Sequence, residues 1–266
     1  MSEPGDTVLP LTASLDGPAG QPVLVLGNSL GTSRQVWQPQ LPSLAGRFRL
    51  LRWELPGHGR PGGPLAPAGP YSIDGIGAAV LALLDRYGIE RAHYAGISLG
   101  GMVGMWLAAH APDRIGALGL CCTSAHMPPA SAWLERAALV RSAGLAPVAG
   151  PSLGRWFTAA FRRAAPGTVA ACRATLEAVD PAGYAGCCEA IAAMDLRPAL
   201  ARIAAPTLVI AGSEDPSAPP PHAALLATRI PTARLTVVRG AAHLANVQAP
   251  GPVTAALLAH LSDSGR

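Results

Sequence analysis

Charge is scarce in this chain: only 14% of its 266 residues are Asp, Glu, Lys or Arg, while half are apolar. That balance permits a sizeable dry core and excludes a disordered chain. The 20 basic residues, all arginines, are scattered rather than clustered with aromatics, and the formal net charge is only +4. Nucleic acid is therefore not an expected partner, whereas a small anionic ligand remains compatible. Cysteine is sparse too, with five residues, an odd number, and no C-x-x-C spacing. Four of them stand as neighbours, Cys121-Cys122 and Cys187-Cys188. Neighbours rarely bridge each other, so buried reduced thiols are expected rather than disulfides or a metal site. The start, Met1 to Pro10, holds Glu3 and Asp6 and lacks a basic segment followed by an apolar run. No signal peptide is expected, and the expected location is the cytoplasm. A long uncharged stretch, Ala92 to Pro112, contains four glycines, His93, Ser98 and His110. It reads as a buried strand, a turn and a buried helix rather than a membrane span.

What is present is alternation. Val23 to Leu26 and Phe48 to Trp53 are short strand candidates. Ser72 can cap a helix with apolar residues at Ile76, Val80, Leu83 and Leu84 and a stop at Gly88. A strand over Arg91 to Gly96, a helix over Leu99 to His110 and a strand over Ile115 to Cys122 follow. From about Ala125 to Asp195 the pattern is helical throughout, broken by Pro and Gly. Alternation resumes with a strand at Thr207 to Ala211, a helix at Pro221 to Thr228, a strand at Arg234 to Val238 and a last helix to Leu261. This predicts an α/β fold with a mostly parallel sheet covered on both faces. Residues 1–124 and 196–266 form the expected core, with 125–195 a helical cap inserted after one strand. In such a sheet the insertion lies over the carboxyl edge, where ligands bind.

Gly96-Ile97-Ser98-Leu99-Gly100 fits G-x-S-x-G between an apolar strand and an apolar helix. In that context the pattern marks a nucleophile elbow, a sharp strand-to-helix turn that presents a serine at the positive end of a helix dipole. A serine needs a base, and on this fold the order along the chain is Ser, acid, His. His243 lies in a late loop after the Arg234 to Val238 strand and is the expected base. His58 and His126 are weaker choices, and His93, His110 and His260 read as structural. Asp215 is preferred to Glu214 as the acid, in the turn Gly212 to Pro216 after a buried strand. The backbone N–H of Leu99 and that of Leu30, in the Gly27 to Thr32 loop, are the expected oxyanion donors.

These segments resemble the 3-oxoadipate enol-lactonases, α/β-hydrolases of the bacterial β-ketoadipate pathway. The resemblance is carried by Asn28-Ser29-Leu30-Gly31-Thr32, by Gly96 to Gly101, by Gly212 to Pro216 and by Gly240 to Val247. In the cap it is carried by Arg155-Trp156-Phe157-Thr158 and Gly183-Tyr184-Ala185-Gly186-Cys187-Cys188. It covers nearly the whole chain. Asn28-Ser29 stands where most of the superfamily has His-Gly, a variant the enol-lactonases share. The loop Glu54 to Arg60 has Glu where Asp is commoner.

The resemblance implies hydrolysis of a small anionic lactone, 3-oxoadipate enol-lactone, with no metal or organic cofactor. Among the cap arginines, Arg136 is the expected partner of the substrate carboxylate, with Arg141 and Arg155 as reserves. Trp133 lies three residues before Arg136 and shares its helix face. With Trp156 it forms the expected apolar wall, and Ser29 is a further expected substrate contact. Generic esterases and lactonases, C–C bond hydrolases and cofactor-free haloperoxidases share the triad. A receptor with an intact triad and little turnover is the alternative from a different class.

Overall fold

The computed structural model describes residues 9–59, 66–67 and 69–263. Residues 1–8, on which the reading of a leader rests, and Arg60 lie outside them. In chain order the elements are β1 (Ala13–Asp16), β2 (Val23–Gly27), α1 (Leu41–Leu44), β3 (Arg49–Trp53) and α2 (Ile73–Arg86). β4 (Ala92–Ile97), α3 (Leu99–His110) and β5 (Ile115–Cys121) follow. Next come five helices, α4 (Ala130–Ala143), α5 (Ala146–Trp156), α6 (Ala159–Ala164), α7 (Pro166–Glu177) and α8 (Pro181–Ala193). The chain then returns through β6 (Thr207–Gly212), α9 (Pro220–Arg229), β7 (Ala233–Val238), α10 (Ala245–Gln248) and α11 (Pro250–Asp263).

The seven strands lie in the order β1-β3-β2-β4-β5-β6-β7, all parallel except β1, which runs antiparallel to β3. From β2 the chain builds outward to β3, then crosses back to place β4 on the other side of β2. That reversal is the topological switch point, and the crevice it opens lies at the carboxyl ends of β2 and β4. β4 is buried along its whole length, as is β6, as parallel strands covered by helices on both faces should be. α3 is buried nearly all round, which explains why its sequence shows apolar residues on every face. α2 has the stripe expected of a surface helix, and Ser72 caps it by accepting from the Gly75 N–H at 3.0 Å.

β1 has no apolar run, and its half-exposed, four-residue pattern gives a reader of the sequence little to find. The 3₁₀ turn at Arg34–Gln40 is hidden likewise, because Pro39 interrupts it and Trp37 and Val36 are held by tertiary contacts. The insertion between β5 and β6 begins and ends at one point. His126 and Asp195 form a single antiparallel bridge, and the Leu196 N–H donates to the Ala125 carbonyl at 2.8 Å. Four of the five cysteines are buried, and burial alone pushes the Cys121 thiol up to about 12. They fill space as small apolar groups.

α11 closes one face of the sheet by seating Leu257 on Gly119 of β5, where even a Cβ on the glycine would come within 2.9 Å of the leucine. Leu257→Ala should therefore leave a cavity and cost about 2–5 kcal/mol. The expected result is a lower urea midpoint at an unchanged m-value; an unchanged midpoint would show that the sheet face does not depend on this contact.

Candidate active site

The serine turn is built by three glycines. Gly27 and Gly96 are register partners at the ends of β2 and β4, so the loops that follow them emerge side by side. A Cβ on Gly96 would lie 2.3 Å from the Gly100 backbone, and one on Gly100 only 2.4 Å from that of Gly27. With hydrogen there instead, the Gly100 N–H donates to the Asn28 carbonyl at 2.8 Å. Between them Ser98 takes φ 54° and ψ −118°, a conformation that costs a non-glycine residue energy and has to be held by its surroundings. Its N–H donates to the Cys121 carbonyl at 2.9 Å, and its carbonyl accepts the Thr123 hydroxyl at 2.7 Å.

Three residues far apart in sequence meet at this turn. His243 Nε2 lies 2.9 Å from Ser98 Oγ, and His243 Nδ1 lies 2.8 Å from Asp215 Oδ2. The other Asp215 oxygen accepts the N–H groups of Ser217 and Ala218 at 2.8 and 3.0 Å. Burial by itself would raise the Asp215 carboxyl, but the charge and hydrogen bond of His243 and these two amides outweigh it and hold it below its ordinary value. An ionised Asp215 accepts from Nδ1–H, which leaves the Nε2 lone pair facing the serine hydroxyl. Glu214 is exposed and takes no part. The other histidines weighed in the sequence stand elsewhere. His58 is fully buried, its Nδ1 2.8 Å from the Pro56 carbonyl, and burial pushes it down to about 4. His126 sits at the cap neck, His93 within β4, His110 beside Arg202, and His260 near the Leu118 and Pro206 carbonyls.

The loop after β2 is braced from beneath. Asn28 Nδ2 donates to the Trp53 carbonyl at 2.8 Å and to Glu54 Oε2 at 3.0 Å, and that oxygen also accepts the Arg34 N–H at 2.9 Å. Gly31, at φ +80°, lets the chain turn so that the Thr32 N–H and hydroxyl reach the Ser29 carbonyl at 3.0 and 2.8 Å. Leu30 thereby lines the pocket beside Ser98, while Leu99 is the first residue of α3. Burial pushes the Glu54 carboxyl up to about 7, against the lowering effect of the Arg34 amide and of the Arg34 and Arg52 guanidiniums.

The cap forms the rest of the pocket. Ser29, Trp133, Arg136 and Trp156 all line it together with Ser98 and His243. Arg155, a reserve candidate in the sequence, lines it too, whereas Arg141 does not and instead makes a two-pronged ion pair with Glu189. Arg136 Nη2 donates to Ser152 Oγ at 2.6 Å, and its guanidinium lies 5.4 Å from the Tyr184 ring centre and 5.9 Å from that of Trp133. Arg155 Nη2 reaches the same Ser152 oxygen at 3.4 Å. Its pKa is lowered by burial and then by the neighbouring Arg136 charge. Among the described residues neither arginine has an ion-pair partner. Tyr184 was visible in the sequence only as part of a cap segment, yet it lines the pocket with its ring against the Arg136 guanidinium. The sequence signal for it is slight: one tyrosine in an otherwise small-residue helix.

Known proteins share this fold and much of this sequence. The model of the α/β hydrolase fold matches residues 22–250. The 3-oxoadipate enol-lactonase 2 of Acinetobacter baylyi is 40% identical over 88% of this chain and 86% of its own length. The chain belongs to the enol-lactonase family of α/β-hydrolases. Among solved structures, the enol-lactonase from Burkholderia xenovorans LB400 superposes with a TM-score of 0.92 at 38% identity, covering 96% of this chain and 97% of that one. A hydrolase from Pseudomonas aeruginosa PA01 gives 0.91 at 44% identity, covering 95% and 94%. As a member of this family the protein is a carboxylic ester hydrolase.

Glu54 gives this site a pH signature. A carboxyl raised in the folded state stays protonated while its unfolded counterpart ionises, so folding stability falls as pH rises from about 4.5 to about 7 and levels off above. Glu54→Gln removes that component. Urea unfolding at pH 5 and pH 8 should show the variant gaining on the wild type as pH rises; a constant difference would place the Glu54 titration outside this window.

Proposed function

We propose that this enol-lactonase family member hydrolyses 3-oxoadipate enol-lactone to 3-oxoadipate through an acyl-enzyme on Ser98. The observation that carries the reading is a Ser98–His243–Asp215 relay facing two guanidiniums that no carboxylate neutralises among the described residues. An ester alone does not need those charges, whereas a lactone with an acetate arm does.

In this mechanism Ser98 Oγ attacks the ring carbonyl carbon and its proton passes to His243 Nε2, with Asp215 stabilising the imidazolium. The tetrahedral oxyanion is held by the N–H groups of Leu30 and Leu99, and the positive end of α3 adds to the field there. The ring C–O bond breaks with the enol oxygen as leaving group, which takes the proton back from His243 and later tautomerises to the ketone. A water molecule, deprotonated by His243, then attacks the acyl carbon. Ser98 is released with its proton and the new carboxylate departs. Enol is a better leaving group than alkoxide, so the deacylation half makes the greater demand on His243.

Arg136 is the cap group assigned to the acetate carboxylate, and Arg155 stands beside it. Two like charges sharing Ser152 in a buried pocket repel each other, and an anion between them relieves that repulsion. Trp133 and Trp156 supply the apolar walls, and Ser29 is a further substrate contact from the lining of the same pocket.

Ser98→Ala should lower turnover by about 10⁶ and Asp215→Asn by about 10⁴, with Glu214→Gln near wild type. Absorbance assays on enzymatically prepared enol-lactone, with mass spectrometry of a fluorophosphonate adduct, check all three. An adduct away from Ser98 would remove it as nucleophile. The substrate itself is tested by Arg136→Met. Loss of a charge-assisted hydrogen bond should lower kcat/KM for the enol-lactone by about ten- to a hundredfold and leave a neutral nitrophenyl ester almost unchanged. Equal losses on both substrates would mean that Arg136 packs the pocket and does not read the carboxylate.

A further inference from the structure

The loop that carries His243 belongs as much to the cap as to the sheet. Its N–H groups turn toward the end of α5: Leu244 N–H donates to the Trp156 carbonyl at 3.0 Å and His243 N–H reaches the Arg155 carbonyl at 3.4 Å. Arg155 thus touches the His243 backbone with its carbonyl while its side chain lines the pocket. Four residues after Leu244, at the end of α10, Gln248 ties the same two bodies together. A primary amide can accept two hydrogen bonds and donate two, and Gln248 uses all four. Its Oε1 accepts the N–H of cap residue Thr158 at 3.2 Å and that of Ala242 at 3.3 Å. Its Nε2 donates to Thr158 Oγ1 at 2.9 Å and to the Gly240 carbonyl at 2.6 Å. On the core side, Asn246 Nδ2 donates to the Val36 carbonyl at 2.7 Å, and Gln40 Nε2 donates to the Asn246 carbonyl at 2.9 Å.

We propose that Gln248 is a positioning residue for hydrolysis, locking the His243 loop to the Arg155–Thr158 corner of the cap so that base and anion site move as one body. The role rests on the Ser98–His243–Asp215 reading above. Gln248 does not touch the reacting atoms; it holds both ends of the turn that aims the imidazole, Gly240 and Ala242 on one side and Thr158 on the other. A cap serving only to cover the substrate would need no such link to the loop of the base. With the link in place, the cap corner cannot swing away without drawing on the loop that keeps His243 Nε2 at 2.9 Å from Ser98 Oγ.

The test compares Gln248→Leu, Thr158→Val and Thr158→Ser on enol-lactone and on neutral p-nitrophenyl acetate, well below each variant's melting temperature. Because the base is misplaced for every substrate, Gln248→Leu should lose about ten- to a hundredfold in kcat on both, and in the rate of fluorophosphonate labelling of Ser98. Thr158→Val should show a smaller loss of the same kind, Thr158→Ser should restore wild-type kcat, and the double variant should be no worse than Gln248→Leu. Wild-type kcat in Gln248→Leu, or a loss confined to KM for the anionic lactone, overturns the proposal. Should Gln248→Leu fail to fold, Thr158→Val decides, and unchanged kcat there overturns the proposal as well. Ser98→Ala run in parallel separates the two readings. An inactive Ser98→Ala beside a fully active Gln248→Leu removes the role of Gln248 alone, whereas turnover in Ser98→Ala removes the triad reading and the role of Gln248 with it.

Discussion

Backbone packs against backbone where β2 and β4 end side by side, and the rest of the site is arranged around that contact. Gly27, Gly96 and Gly100 have no side chains to keep the two loops apart, and the Gly100 N–H can therefore reach the Asn28 carbonyl. The close approach sets the strained Ser98 turn at the start of α3 and brings the Ser29–Leu30 loop beside it. A strained residue persists only where its surroundings over-determine it. Here the Cys121 carbonyl, the Thr123 hydroxyl and the glycine contacts do so together.

Electrostatics divides the pocket into two halves with opposite demands. On the core side Asp215 is buried but satisfied, with His243 on one oxygen and two backbone amides on the other, so its charge is tolerated. On the cap side Arg136 and Arg155 share a neutral serine, Arg136 also lies over the Trp133 and Tyr184 rings, and no carboxylate faces them among the described residues. Both guanidiniums are half-buried, and charge left without a counter-charge in such surroundings is costly. The cap is thus a polar instrument as well as a cover, and it meets the loop of His243 along Arg155 to Thr158.

The elements that a reader of the sequence finds are those with strong local signals. β4, α3, β5 and β6 are uncharged, mostly apolar runs, and α2 has its cap, stripe and stop in the expected order. β1 and the turn at Arg34–Gln40 leave little trace, because they are held by contacts with residues distant in sequence. The same division runs through the site. Ser98 is announced by its own five-residue neighbourhood, and Asp215 and His243 by the order of strands before them. The cap has no such order: its helices carry six arginines on similar local patterns. Nothing within the sequence of α4 or α5 states that Arg141 turns outward to Glu189 while Arg155 turns inward.

By itself, then, the sequence determined the alternation of strands and helices, the serine turn, the preference for Asp215 over its neighbour and the family to be expected. Each of these depends on residues close together in the chain or on their order along it. Tertiary structure alone decided which cap arginines face the serine, that Tyr184 packs against Arg136, and that Gln248 joins the His243 loop to the cap. The reason is physical: which way a side chain on a cap helix points, and what it meets, depends on how five short helices pack over the sheet edge. That packing sums many weak contacts between segments as far apart in the chain as Gly31 and Tyr184, and no local pattern records it.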